Sequence, residues 1–141
     1  MRKYTMVWAV ALLLFGVVGC SSAREGMRGF LGVSTKALEE ARSSAISRNF
    51  DYDYFTAYGK TLDALKEMKA YIYVKSVSTH KIAIYVSQAD TTPVGIFFTE
   101  KEKSLTRVEV SSQSTYAKET IAKKLFSLLE GAAKKVEVKQ E

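Results

Sequence analysis

The stretch from Tyr71 to Ser111, YIYVKSVSTHKIAIYVSQADTTPVGIFFTEKEKSLTRVEVS, breaks into segments that each alternate apolar and polar residues. These are Tyr71–Ser76, Lys81–Ser87, Val94–Thr99 and Leu105–Ser111. Successive side chains on a strand point to opposite faces, so residues two apart share a face. On that rule Ile72 and Val74 lie together, as do Ile82, Ile84 and Val86, then Val94, Ile96 and Phe98, then Val108 and Val110. Lys75, Lys81, Arg107 and Glu109 fall on the opposite parity. A sheet with one apolar and one charged face is antiparallel and covered on one side. The connections SVSTH, QADTTP and EKEKS have hairpin lengths. Pro93, the one proline, opens its strand, where a missing N–H does least harm.

Helical periodicity flanks this stretch. Upstream, Asp51 or Asp53 caps DYFTAYGKTLDALKEMK, in which Phe55, Tyr58, Leu62 and Leu65 recur at helical spacing beside Ala57, Thr61, Ala64 and Met68. Gly59 inside this helix costs roughly 1 kcal/mol against alanine, and a close helix–sheet contact would account for it. Downstream, a helix runs from about Tyr116 to Glu130. Ile121, Leu125 and Leu128 line its face, with Ala117, Ala122 and Leu129 alongside, and Gly131 follows as a stop. Further upstream, AISRNF gives a short strand, Ala45–Phe50, and Thr35–Arg42 a short helix with Ser34 as N-cap and Leu38 and Ala41 on one face. The expected fold class is α+β: a meandering antiparallel sheet of four to five strands, with two main helices packed on one face.

The N-terminal segment reads as an address. Arg2 and Lys3 precede an apolar run from about Met6 to Val18, interrupted by Gly16. As a helix it spans roughly 20 Å, short of the roughly 30 Å hydrocarbon core. It therefore suits a secretory signal rather than a permanent span. It ends in Val17-Val18-Gly19-Cys20, which holds the only cysteine of the chain. This junction resembles the lipobox of bacterial lipoproteins. The resemblance implies a diacylglycerol on the Cys20 thiol through a thioether, cleavage between Gly19 and Cys20 and, as in many Gram-negative bacteria, acylation of the new amino group. One acyl chain holds a protein only marginally, whereas two or more anchor it stably. Ser21 and Ser22 follow where an aspartate would signal inner-membrane retention in enterobacteria, so the resemblance favours the outer membrane, facing the periplasm. Asp90-Thr91-Thr92-Pro93-Val94-Gly95-Ile96-Phe97-Phe98-Thr99 and Ser114-Thr115-Tyr116-Ala117-Lys118-Glu119 are similar to segments of small bacterial lipoproteins in which a lipobox precedes an α+β domain. That resemblance implies location and fold, and no activity. The expected organisation is a signal peptide over 1–19, a lipidated N-terminus and tether over 20–33, an α+β domain over 34–131 and a polar tail over 132–141.

Composition narrows function. The 141-residue chain is 47% apolar, which suits one folded domain. Its formal charge is +6, and the first 19 residues hold Arg2 and Lys3 and no acid, so a chain from Cys20 carries 6 − 2 = +4. The basic residues are interspersed with acids rather than clustered, which does not fit a nucleic-acid footprint. A single cysteine excludes a disulfide framework.

No arrangement in the sequence marks catalysis, a metal or a cofactor. His80, the only histidine, would need a serine and an acid such as Asp90 to form a triad. The chain lacks a Gly-x-Ser-x-Gly elbow and a phosphate-cradling loop. The expectation is a non-enzymatic binding or scaffold module tethered in the bacterial envelope, with a small envelope hydrolase or other enzyme as the alternative. The candidate partner face is aromatic: Tyr71, Tyr73, Tyr85 and Phe97 lie on the parity opposite the core, where an envelope protein or a second copy could meet them. Cross-strand aromatic pairing that only stabilises the sheet is the competing account, and the Phe30–Leu38 segment could also cover that face.

Overall fold

The alternation of Tyr71–Ser111 becomes a meander in the computed structural model, which describes residues 35–137, with side chains through 132. The expected signal and tether, the lipobox-like residues Val17, Val18, Gly19 and Cys20, the residues Ser21 and Ser22 expected to act in sorting, and Ser34 lie outside the described residues. The elements are a helical stretch α1 over 35–40, continued by a 3-10 turn at Ala41–Ser44, then β1 (Ile46–Phe50) and α2 (Tyr54–Glu67). After these come β2 (Tyr71–Ser76), β3 (Lys81–Tyr85), β4 (Pro93–Glu102), β5 (Leu105–Ser111) and α3 (Thr115–Glu137). The protein is α+β. Its five strands stand in the order β1-β5-β4-β3-β2, all neighbours antiparallel. The β1 strand adds to the far edge, beside β5, and α2 carries the chain across the sheet to β2 at the other edge.

One face of the sheet holds the main core. Ile82, Ile84, Val94, Ile96, Phe98, Val108 and Val110 meet α2 and α3 there and are essentially inaccessible to water. From α3 come Ala117, Ile121, Ala122, Leu125, Phe126 and Leu129, all buried. From α2 come Tyr54, Ala57, Tyr58, Thr61, Ala64 and Leu65. The expected stripe is buried at Ala57, Tyr58, Thr61, Ala64 and Leu65, with Leu62 and Met68 packed against it, and it departs from expectation at its first turn. Tyr54 lies inside, while Phe55 is 72% exposed. Tyr54 is drawn in because its hydroxyl can donate to the Val77 carbonyl at 2.6 Å while its ring packs edge-on against Phe98. A phenol can be buried when its O–H finds a partner.

The helix ends follow side-chain chemistry. Asp53, not Asp51, caps α2: its carboxylate accepts from the Thr56 amide at 3.0 Å and from the Thr56 hydroxyl. The helix closes with Lys69 in the left-handed region, φ 56°, while Ala70 N–H bonds the Leu65 carbonyl and Lys69 N–H that of Lys66. This is the helix-ending pattern that glycine usually serves. Gly59 has no atom within 4 Å of where a Cβ would stand, so it marks no close helix–sheet contact. Nor does Gly131 stop α3, which continues to Glu137 and takes up part of the expected tail.

Candidate functional site

The second face of the sheet is built from two lateral rows. Register places Ala83, Gly95 and Ser111 side by side across β3, β4 and β5, and Lys81, Phe97 and Glu109 in the neighbouring row. The first row is nearly without side-chain bulk, so it forms a shallow trough. Leu38 of α1 fills that trough and is 1% exposed. A Cβ on Gly95 would stand 3.1 Å from the Leu38 Cβ and 2.7 Å from the Phe97 ring, so glycine is what lets α1 approach. Ser111 Oγ donates to the Leu38 carbonyl.

The second row matches α1 and the 3-10 turn in charge. Lys81 Nζ pairs with Glu39 at 2.8 Å. Arg42 pairs with Glu109 and holds its guanidinium 4.6 Å from the centroid of the Phe97 ring. At the end of the turn, Lys118 of α3 donates to the Ser44 carbonyl at 2.6 Å and to the Ser44 hydroxyl at 3.2 Å.

This arrangement corrects the four-ring partner face. Phe97 is 5% exposed, roofed by Leu38 and Arg42, and belongs to a small second core with Ala83. The three tyrosines remain toward solvent. Tyr71 and Tyr85 are register partners whose rings stack at 6.0 Å and 13°. Tyr73 stacks on Tyr85 at 4.4 Å and 23°. Tyr71 is half exposed, and the other two are partly buried. A register shift between Ile72 and Val74 turns Val74 away from Ile72 and sets it opposite Ala83, so Val74 packs beside Tyr73 on this second face. The expectation that Ile72 and Val74 share a face fails because strict alternation does not survive a bulge.

Beside Tyr71 a shallow cleft is lined by Lys69, Ala70, Ser87, Gln88 and Ala89. Its loop wall is fixed internally. Ser87 Oγ accepts from the amides of Ala89 and Asp90, and the Asp90 carboxylate accepts from the Thr92 hydroxyl at 2.7 Å and the Thr92 amide at 3.0 Å. Those Thr92 bonds hold the Asp90 carboxyl below the usual carboxylate range.

His80 and Asp90 do not come together. His80 directly precedes β3 and Asp90 lies in the connection beyond its other end, so a five-residue strand, roughly 17 Å long, stands between them. The imidazole instead stacks on Tyr54 at 4.2 Å, and the backbone takes a left-handed φ of 52° to close the β2–β3 turn. Burial, with smaller contributions from Tyr58 and Glu100, raises the Tyr54 phenol above its ordinary pKa. Among the described residues no group of three or more His, Cys, Asp or Glu side chains could hold a metal ion, and no helix is long and apolar enough to cross a membrane.

The parts of this site that the sequence did not offer are Arg42, Glu109 and Lys118. Each is an ordinary surface charge by sequence. Only the register that sets Glu109 beside Phe97 gives Arg42 its double contact. Comparison with models of known protein families finds no match to this chain, and comparison with curated proteins finds none either.

Proposed function

We propose that this protein is a bacterial envelope lipoprotein, anchored through acylated Cys20, whose α+β domain works as a non-enzymatic binding or scaffold module. The observation that carries the reading is the Val17-Val18-Gly19-Cys20 junction behind a basic start and an apolar run. The site geometry supports a binding role: a partly open stack of Tyr71, Tyr73 and Tyr85 beside a cleft whose loop is internally bonded. Rigid aromatic rings supply contact area at low conformational cost, which suits recognition. The partner is an envelope protein or a second copy, met through the tyrosine face, with membrane lipid held by Cys20 and the outer membrane as the favoured location.

Metabolic labelling with an alkyne fatty acid tests the anchor. The parent chain is expected to take up label and to run as a shortened mature form, and Cys20→Ala to stay unlabelled at precursor size. Equal label in parent and variant would refute the lipoprotein reading.

A further inference from the structure

The segment over 35–44 is joined to the domain differently from every other element. It contributes a single fully buried side chain, Leu38, and its 3-10 turn buries none. It adds no strand to the sheet. The contacts that hold it run through side chains: Ser111 to the Leu38 carbonyl, Lys81 to Glu39, Arg42 to Glu109, and Lys118 to Ser44. In both ion pairs at least one partner remains substantially solvated. The strands are locked by backbone ladders between every neighbouring pair, and the sheet, α2 and α3 by the large core on the other face. Ala45 joins the two parts as one extended residue, ψ 146°.

We propose that residues 35–44 are a releasable strap, which lifts from the sheet as a unit and uncovers Phe97 and the Ala83–Gly95–Ser111 trough while the sheet, α2 and α3 stay folded. Proteins open locally where buried apolar contacts are few and bonds are solvated. This segment fully buries one side chain and its two ion pairs are partly solvated, while the Ser111–Leu38 bond is buried and the Lys118–Ser44 bond part-buried, so release has to break one buried hydrogen bond. The exposed strip is continuous with Tyr73 and Val74, which pack against the same cluster. Lifting the strap therefore joins Phe97 to the tyrosine face and widens it to four rings. The closed strap presents the narrower face and the open strap the wider one. The strap also stands at the N-terminal end of the folded unit, so tension applied from upstream reaches it before any strand. The release stands on the contacts alone, and its role as a gate on the tyrosine face rests on the binding function proposed above.

Thiol accessibility tests the release without a partner, so failure of the binding reading leaves the test intact. In the full chain, Ala83→Cys places a thiol under the strap, and Val110→Cys places one in the main core. Peptide mass mapping separates both from Cys20. Labelling at position 83 is expected to run at least about 100-fold faster than at position 110, because only the latter requires opening of the main core. Added salt is expected to speed labelling at position 83 alone, by screening the ion pairs. Adding Leu38→Asp is expected to bring the thiol at position 83 close to the rate of a free thiol and to leave the one at position 110 unchanged. In the unsubstituted chain, trypsin is expected to cut after Arg42 before any site between β1 and α3. Equal, slow labelling at the two positions would overturn the proposal, as would acceleration of both by Leu38→Asp or resistance at Arg42 until the whole domain is digested.

Discussion

Phe97 and Phe98 are adjacent in sequence and buried on opposite faces of one strand, at 5% and 3% exposure. Parity separated them in the sequence, and the structure keeps that separation. Parity alone cannot show whether the second face is covered; the cover at Phe97 is Leu38, the last residue of the segment that the sequence offered as a possible cover. The two rings have different energetic roles. Phe98 packs with Tyr54, Tyr58 and the sheet in the main core, so Phe98→Ala is expected to cost about 3–5 kcal/mol of global stability. Phe97 is buried by a segment that can lift, so the cost of Phe97→Ala is capped by the free energy of lifting the strap and falls below that of Phe98→Ala. Denaturant unfolding of the two variants checks this, and equal losses would show that the strap and the main core unfold as one.

At the scale of elements, sequence legibility tracked whether a signal was local. Strands β2 and β5 have the expected limits because alternation and turn residues sit inside the segment itself. Helix α2 was legible as a helix and so was most of its buried stripe, but at the first turn the buried ring is Tyr54 and not the expected Phe55. Tyr and Phe are equivalent to an apolar pattern, and what selects Tyr54 is a carbonyl on the β2–β3 turn. Its end at Lys69 carried no signal, since lysine rarely takes the left-handed conformation and glycine is the usual mark. The N-cap was legible to within two residues, Asp51 or Asp53, and the cap at Asp53 has a consequence with pH. Hydrogen bonds from the Thr56 hydroxyl and then the Thr56 amide lower the Asp53 pKa. A group whose folded pKa is depressed stabilises the fold above its unfolded value, about 3.9 for aspartate, and loses that contribution as pH falls through the folded value. The melting difference between the parent and Asp53→Ala is therefore expected to hold steady from neutral pH to about 5 and to shrink progressively below about 4. Thermal melts across that range decide it. A difference undiminished at the acid end would mean the cap acts without its charge.

For the whole molecule, the legible part was the meander and the side on which α2 and α3 pack, because each follows from short-range pattern and short connections. The place of β1 was not legible: its burial pattern is one inward residue at each end with three exposed between them, so little in ISRNF specifies a neighbour. It is recruited by β5 through five register pairs, by Arg48 reaching Glu130 on α3, and by Phe50 packing on Phe126 at 5.6 Å. These contacts tie the start of the domain to its end, so the sheet is complete only when β1 and the C-terminal helix are both present. Every such tie lies downstream of Ser34, and the described residues 35–137 fall in one compact unit. A chain starting at Ser34 is therefore expected to give dispersed amide spectra and a single cooperative melt. A chain starting at Ala45, which lacks the strap but keeps β1, is expected to melt cooperatively as well, at a lower midpoint. Ending the chain before α3 is expected to abolish the transition, since Ile121, Leu125, Phe126 and Leu129 supply one wall of the main core. Loss of cooperativity on deleting the strap alone would place α1 inside the folding unit, and the division of the domain into a locked sheet and a removable segment would fail.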